Sequence, residues 1–466
     1  MENNKSRIIL VKEIVEVTKG DLITGNENLE CKVFSRDTRQ IKGGEIYIGL
    51  IGENVNGGKF FEEALKNGAD GVIIQDIEIT EEQIQKYKNK VIIKVEDTLK
   101  ALQEIAKLKR QKYNNVQIIA VTGSVGKTST KDMIGNVLAQ KYKTLKTEGN
   151  YNNHIGVPFT LLGLTDEEVA VVEMGMNHFG EISVLTNIAK PNFCVITNIG
   201  TSHIGNLGSR ENILKSKLEI LEGCEEKNLI VNNDNDLLHK FFKENINDGN
   251  VTITTFGIEE ESNIYATNIE LEEESSKFIC HVENEEFEVC VPVGGVHFVY
   301  NALCAATIGK KLRLTNEQIK QGIETFELTK KRMDIETLEN GIKIINDSYN
   351  ASYESMKASI ENLAKYETRK VAVLGDMFEL GDYSEDLHRK VGAEVVKNNI
   401  DILMCAGQNA KYIVEQAQKD GMKNIYYFDT KEELLMKLKE IMKKDDVILF
   451  KASNGMKFFE LVKQIK

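Results

Sequence analysis

The order of segments predicts an α/β protein of three domains: a mixed first domain, a central parallel-sheet domain, and a C-terminal doubly wound, Rossmann-like domain. Length is the first reason, because 466 residues with 41% hydrophobic content exceed one ordinary core, and cores divide into units of roughly 100 to 200 residues. The second is a run of short apolar segments alternating with helical patterns from about residue 116, as a parallel sheet covered on both faces requires. The third is the return of that alternation after Arg332.

Residues 1–112 read as the mixed α/β unit, with a Gly-rich turn in IGENVNGGKFF and a helix running into the strand GADGVII. The polar stretch KLKRQKYNN, 107–115, reads as a first linker. Residues 113–328 form the central unit: VQIIAVTG, a helix from Ser129, EVAVVEMG, a helix over EISVLTNIA, FCVITNIG, a helix from Ser209, and NLIVNND. Between Asn263 and Pro292 the pattern turns to alternating β segments (IYATNIEL, KFICHV, EFEVCV), expected as antiparallel strands at an edge of the same domain. Leu328 to Lys331 reads as a second linker. The third unit, 329–466, then runs through IKIINDSYN, a helix at SMKASIENLA, KVAVLGD, a helix at SEDLHRKVGAEVV, DILMCAG, NIYYFD and VILFKAS.

Composition excludes several classes. Only 3 Pro and no long biased tract argue for a chain folded throughout. A net charge of -13 argues against nucleic-acid or membrane-surface binding, which need a basic field, so anionic ligands must be held by local devices. The start, MENNKSRIILVKEIVEV, lacks the apolar core of a signal peptide, and no run of about 18 apolar residues occurs; a cytoplasmic protein without membrane insertion is expected. Seven cysteines scattered without CxxC spacing read as reduced thiols with no chemical role.

The strongest local signal is Gly123-Ser124-Val125-Gly126-Lys127-Thr128-Ser129, directly after IIAVT and opening a helix. Glycines let backbone N–H groups crowd around phosphate oxygens, and the helix N-terminus adds its dipole. Lys127 reaches the β/γ-phosphates, and Thr128 can ligate Mg²⁺. A plain Gly-rich turn is the competing reading, and the strand before and helix after weigh against it. The central unit is therefore read as a P-loop ATPase domain in the shortened G-x-x-G-K-[ST] form, with Val121 at the position of the usual first Gly.

Glu173 ends VAVVE, where a carboxylate beside a phosphate loop can hold Mg²⁺; a surface acid at a strand end is the alternative. His203 follows FCVITNIG in the same topological position, and a lone His is more often structural. Lys215, Lys217 and Glu219 fall on the helix from Ser209, where a solvated charged face is the ordinary reading. Asn150, Asn152 and Asn153, in GNYNNHIGVP, are either turn formers or amide contacts for a polar acyl substrate.

Taken in order, these pieces resemble the Mur ligase family over nearly the whole chain: DTR at Asp37 to Arg39, GSVGKTS, NYNNHIGVP, EMGMNHFGEI, TSHIG, SKLEI, GVHFVYN, RM, NDSYNAS, LGDMFELGD with His388, and KASNGM. The likeness is strongest to the branch that adds D-alanyl-D-alanine to UDP-N-acetylmuramoyl-tripeptide. It implies ATP and two Mg²⁺, the first on Thr128 and Glu173, the second on His203 and a carbamylated Lys217. It also implies adenine-side contacts from His297 and Asn301, a ribose contact from Asp347, and a γ-phosphate contact from Arg332. Thr38, Arg39 and the Asn54 to Gly58 turn, Gly57 included, fall where the family holds uridine diphosphate, and Tyr349 and Asn350 fall on the substrate side. A monomer is expected.

Three departures bear on the substrates rather than on the ligation: Asn350-Ala351-Ser352-Tyr353 for NANP, Lys451-Ala452-Ser453 for KGS, and Asn56-Gly57-Gly58-Lys59 for the DG-H turn. The expected reaction is γ-phosphoryl transfer to the tripeptide carboxylate, then attack of the dipeptide amine on the acyl-phosphate. A sister ligase, a folylpolyglutamate-type synthase, and a P-loop ATPase module that drives a partner are the competing readings.

Overall fold

The computed structural model describes residues 7–247, 249–328 and 332–465. Of the second expected linker only Leu328 lies among them. Three main sheets carry the chain, as the three-domain α/β reading expects. The first, of five strands, runs Asp21–Thr24, Val91–Lys94, Gly71–Ile74, Glu45–Ile48, Val33–Ser35, and only its outermost strand Asp21–Thr24 is antiparallel.

The second sheet has nine strands. Six neighbouring pairs from Thr144–Lys146 to Ile264–Leu271 are parallel. Ser276–Val282 and Glu285–Val291 then add antiparallel strands at one edge, as the change of period after Asn263 predicts. Gln117–Thr122 lies between Val169–Glu173 and Phe193–Ile196. All three are buried almost without interruption, which is why they read as continuous apolar runs rather than alternating ones.

The third sheet has six strands in the order Asp334–Thr337, Lys343–Asn346, Val447–Lys451, Lys370–Gly375, Ile402–Ala406, Ile425–Phe428, parallel except for the first pair. Its register sets Asn346 beside Phe450, so Asp347 and Lys451 leave adjacent strand ends at the same level.

The expectation of a linker at 107–115 is corrected. Residues up to Lys112 belong to the helix Thr98–Lys112, capped by Asp97 accepting from the N–H groups of Leu99 and Lys100. Leu102, Ile105, Ala106, Lys109 and Arg110 form its buried stripe. Arg110 donates to the carbonyls of Ala189, Tyr113 and Lys190, so a residue counted as polar bolts this helix to the central unit. Long basic side chains bury their stems, and residue class alone hides that.

The helix Lys127–Leu138, which starts two residues before the expected Ser129, carries the phosphate loop and packs against Val296–Lys311 and Asn316–Glu324. The approach needs Gly322, where a Cβ would stand 2.4 Å from Val137 Cα. Gly322→Ala should therefore destabilise the protein by about 1–3 kcal/mol through overpacking, read as a lowered denaturant midpoint. An unchanged midpoint would refute this account of how the helix is seated.

Candidate active site

The phosphate loop follows Gln117–Thr122 and is tied to the end of the neighbouring strand. Ser124 N–H donates to the Asn198 carbonyl at 3.0 Å and Val125 N–H to Asn198 Oδ1 at 2.9 Å. In return, Asn198 Nδ2 and Thr197 Oγ1 donate to the Val125 carbonyl at 2.9 and 2.7 Å. Gly123 is required by this approach, since a Cβ would stand 1.9 Å from Thr197 Oγ1. Gly126 caps the helix in the left-handed region at φ 81. Lys127 Nζ donates to the carbonyls of Gly123 and Ser124 at 2.8 and 3.3 Å, poised over the space that phosphates would fill. Burial pulls this ammonium below the ordinary lysine range; Glu173 opposes the shift and Arg332 adds to it.

Glu173 ends its strand 1% exposed. Its Oε2 accepts from Thr128 Oγ1 and its Oε1 from Asn152 Nδ2, both at 2.8 Å. Its own N–H donates to Thr147 Oγ1, while Lys131, buried, donates to the Thr147 carbonyl at 2.6 Å. Among the described residues no cation pairs with Glu173. A buried carboxylate held by a hydroxyl and an amide, beside a phosphate loop, fits a hard divalent cation. Among the described residues no group of three or more His, Cys, Asp or Glu is assembled for a metal, so such an ion would rely on Thr128, Glu173 and the oxygens of its ligand.

Lys217 is not solvated. It is 1% exposed on the helix Arg210–Leu218, whereas Lys215 is exposed. Burial, with Lys127 nearby, pulls the Lys217 amine far below the ordinary lysine range, and no ion pair with a described residue offsets it. His203 opens the short helix after Phe193–Ile196 with left-handed backbone, φ 64. Its Nδ1 lies against the Glu379 carboxylate of the third unit.

A cleft of about 520 Å³ separates the second and third sheets. Ser124 to Ser129, Asn152, Asn153, Glu173, His203, His297, Asn301, Arg332, Asp347, Tyr349 and Asn350 all line it. Asn301 Oδ1 accepts from Thr130 Oγ1 at 2.8 Å. The His297 ring lies against Phe298, centroids 4.2 Å apart and tilted by 43°, and burial pushes the imidazole down to about 4. Arg332 lies 3.9 Å over the Tyr349 ring, and Asp347 accepts from Ser359 Oγ at 2.6 Å.

Lys451 is a participant that the sequence reading took only as part of a motif. It is buried, its ammonium pairs with Asp347 at 2.5 Å and reaches the Asn350 carbonyl at 3.2 Å, and so it clamps the Asp347–Asn350 turn. Thr197, Asn198, Phe256, Tyr300 and Glu354 also line the cleft and were not foreseen. A search of the strand ends would have found the first two.

The other expected residues lie elsewhere. Lys217 is beneath the cleft lining. Asn150 is exposed, and Asn153, although it lines the cleft, spends its Oδ1 on the turn by accepting from Ile155 and Gly156. Thr38, Arg39, Asn54 and Gly57 belong to the first unit. Thr38 donates to Glu63 at 2.7 Å, Arg39 forks onto Asp37 and holds it down to about 2, Asn54 is exposed, and the Gly57 carbonyl accepts from Tyr47. Arg36, unforeseen, stacks 5.0 Å over Tyr151 and so joins this unit to the NYNNHIGVP loop.

Family models match three successive stretches: "Mur ligase family, catalytic domain" at 32–110, "Mur ligase middle domain" at 121–309, and "Mur ligase, glutamate ligase domain" at 331–454. The UDP-N-acetylmuramoyl-tripeptide--D-alanyl-D-alanine ligase of Bacillus subtilis is 38% identical over 98% of both chains. The chain belongs to the Mur ligase family. Among solved structures, that of MurF from Acinetobacter baumannii matches with TM-score 0.88 and 30% identity over 98% of both chains. The Thermotoga maritima MurF ligase in complex with ADP matches with TM-score 0.80 and 27% identity over 93% of this chain and 96% of that one. As a Mur ligase, the chain is an ATP-dependent ligase. No described helix is long and apolar enough to cross a membrane.

Below the ordinary His value of 6.5, and down to about 4, the unfolded chain takes up a proton that half-buried, desolvated His297 refuses. The stability this contributes is present above pH 6.5 and is lost as pH falls through that window. His297→Gln should flatten that part of the stability curve, as read from urea midpoints across the window. Parallel curves for both proteins would sink the assignment.

Proposed function

We propose that this Mur ligase joins D-alanyl-D-alanine to UDP-N-acetylmuramoyl-tripeptide, using ATP, in the cytoplasm and as a monomer, for peptidoglycan precursor synthesis. The observation that carries the reading is the full-length likeness to the Bacillus subtilis ligase of that name, 38% identical over 98% of each chain. The chemistry of the cleft supports it. Residues 1–112 take the uridine diphosphate end through Thr38, Arg39, Asn54 and Gly57. Residues 113–328 hold ATP, and residues 329–466 bring Arg332 to the γ-phosphate and Asp347 to the ribose. Asn301 and His297 serve the adenine side, while Asn150, Asn152, Asn153, Tyr349 and Asn350 face the acyl and amine substrates.

The reaction needs little covalent chemistry from the protein. Lys127 and Arg332 draw negative charge off the transferring phosphoryl, and the phosphate loop, fixed by Asn198, holds it in line with the tripeptide carboxylate. The carboxylate oxygen takes the phosphoryl group and ADP leaves. The dipeptide amine attacks the acyl carbon and phosphate departs with the C–O electron pair. Water must be kept away meanwhile, because an acyl-phosphate hydrolyses, and the third unit seated over the phosphate loop provides that cover. Thr128 and Glu173 would hold one Mg²⁺, and His203 with Lys217 a second; when bound, these ions neutralise phosphate charge.

The burial of Lys217 supports its carbamylation. A buried amine kept neutral is a nucleophile for CO₂: the Nζ–C bond forms, a proton leaves, and the neutral amine becomes an anionic carbamate whose oxygens suit Mg²⁺. Lys217→Ala should lose most activity, and formate or acetate at high concentration should restore part of it. Lys217→Arg should stay inactive, while exposed Lys215→Ala should keep activity and change stability by no more than about half a kcal/mol. Full activity in Lys217→Ala would refute the ligand role.

The acceptor is tested directly by mass spectrometry of the product. With ATP and a UDP-tripeptide ending in either diaminopimelate or L-lysine, D-alanyl-D-alanine should be a far better acceptor than any single amino acid, since a site built for both residues loses partners when one is missing. Equal turnover with free D-glutamate, L-lysine or meso-diaminopimelate on the matching precursor would move the chain to another branch of the family.

A further inference from the structure

The loop after Phe193–Ile196 is held from two sides. On one side it is bonded to the phosphate loop through Asn198, and again where Gly200 N–H donates to Ser124 Oγ at 2.9 Å and Ser202 Oγ to the Ser124 carbonyl at 3.2 Å. On the other side stands Glu354, in the first turn of the third-unit helix Tyr353–Leu363. Both of its carboxylate oxygens are taken by one residue: Thr201 N–H donates to Oε1 at 2.8 Å and Thr201 Oγ1 to Oε2 at 3.0 Å.

Gly200 makes this contact possible. A Cβ there would stand 2.6 Å from Glu354 Cδ and 2.8 and 2.9 Å from its two oxygens. The third unit touches the same loop three times more, through the Glu379 carboxylate against His203 Nδ1, the Glu379 carbonyl accepting from Gly205 N–H at 3.0 Å and Tyr383 Oη donating to the Gly208 carbonyl at 2.7 Å. Those contacts lie farther along the loop. Glu354 meets Gly200, which itself bonds Ser124, and Thr201 beside it.

We propose that Glu354 is a positioning residue for the ligation: seated on Gly200 and Thr201, it locks the phosphate loop when the third unit, with Arg332 and Asp347, is docked. The coupling passes through two hydrogen-bonded steps, Thr201 to Glu354 and its chain neighbours Gly200 and Ser202 to Ser124. Nucleotide held in the phosphate loop is thereby committed to transfer only once the groups from the third unit are in place. The role in catalysis rests on the reading that Arg332 and Asp347 contact ATP; the mechanical coupling does not depend on which amine is joined.

The test uses the full chain and four variants: Glu354→Ala, Glu354→Gln, Gly200→Ala and the double variant Gly200→Ala/Glu354→Ala, with thermal melting to confirm folding. Glu354→Ala loses two hydrogen bonds to a charged acceptor, and kcat should fall about tenfold or more. Glu354→Gln, which keeps the shape and still accepts from the Thr201 N–H, should recover most of that loss. Gly200→Ala should fall further, because its methyl meets the carboxylate. The double variant should be more active than Gly200→Ala alone, because removing the carboxylate removes the clash. Losses that multiply in the double variant, or full activity in Glu354→Ala, would overturn the proposal.

Hydrogen exchange at residues 198–203, with and without a non-hydrolysable ATP analogue, reads the coupling with no acceptor present. Nucleotide-dependent protection there should be present in the parent chain and lost in Glu354→Ala. Equal protection in both would overturn the coupling even if ligation were confirmed. Failure of the dipeptide assay alone would overturn the acceptor assignment and leave this result standing.

Discussion

The site depends on one geometric constraint: its side chains stand at the carboxyl ends of parallel strands. The phosphate loop follows Gln117–Thr122, Glu173 ends Val169–Glu173, and Thr197 and Asn198 follow Phe193–Ile196. From the third sheet, Asp347 follows Lys343–Asn346 and Lys451 ends Val447–Lys451. Parallel strands converge their chemistry at one end, where crossovers part to either side and leave a crevice. Here two such ends face one cleft, so nucleotide chemistry is assembled from segments more than 300 residues apart without a long loop.

Charge explains how a protein of net charge -13 can serve anionic substrates. Lys127, Lys217, Arg332 and Lys451 gather in or beneath this cleft, three of them against backbone carbonyls, an aromatic ring or one half-buried acid. Two are desolvated enough to be pulled below the ordinary lysine range. Such groups act far more strongly here than at the surface, because the low dielectric that makes them costly also strengthens their attraction for phosphate. The overall acidity then has little bearing on the site.

Local chemistry was legible in the sequence and long-range register was not. The phosphate loop, Glu173 and the three-sheet plan could be read because each depends on neighbours within a few residues: glycines before a helix, an acid ending an apolar run, period-two or helical alternation. Lys451 and Glu354 carried no such signal. One owes its role to the pairing of Asn346 with Phe450, the other to a glycine 154 positions earlier in the chain. Lys217 was misleading for a related reason. Its helix is studded with Arg210, Glu211 and Lys215, so nothing in the pattern marks which cation turns inward. The helix through 107–112 was hidden because Lys109 and Arg110 fill buried positions that hydrophobic periodicity assigns to apolar residues.

The two junctions of the central unit differ in kind, and that difference bears on which part moves. The first unit is joined through the buried face of Thr98–Lys112, which packs on the helices Gly156–Leu162 and Glu181–Ala189 with Arg110 satisfied in between. The third unit meets the site loops largely through polar contacts, Thr201 with Glu354, His203 and Gly205 with Glu379, Gly208 with Tyr383, and Lys343 with Glu273 and Glu274 at 3.0 and 3.1 Å, beside an apolar contact where Ile204–Leu207 packs on Gly381–Tyr383. Polar contacts can exchange for water at small net cost, whereas a packed apolar face cannot separate without exposing area. The polar junction is therefore the one that can part at the smaller cost. The segment 198–208, gripped along its length by the third unit and bonded to Ser124 and Val125 at its start, is where that junction reaches the phosphate loop.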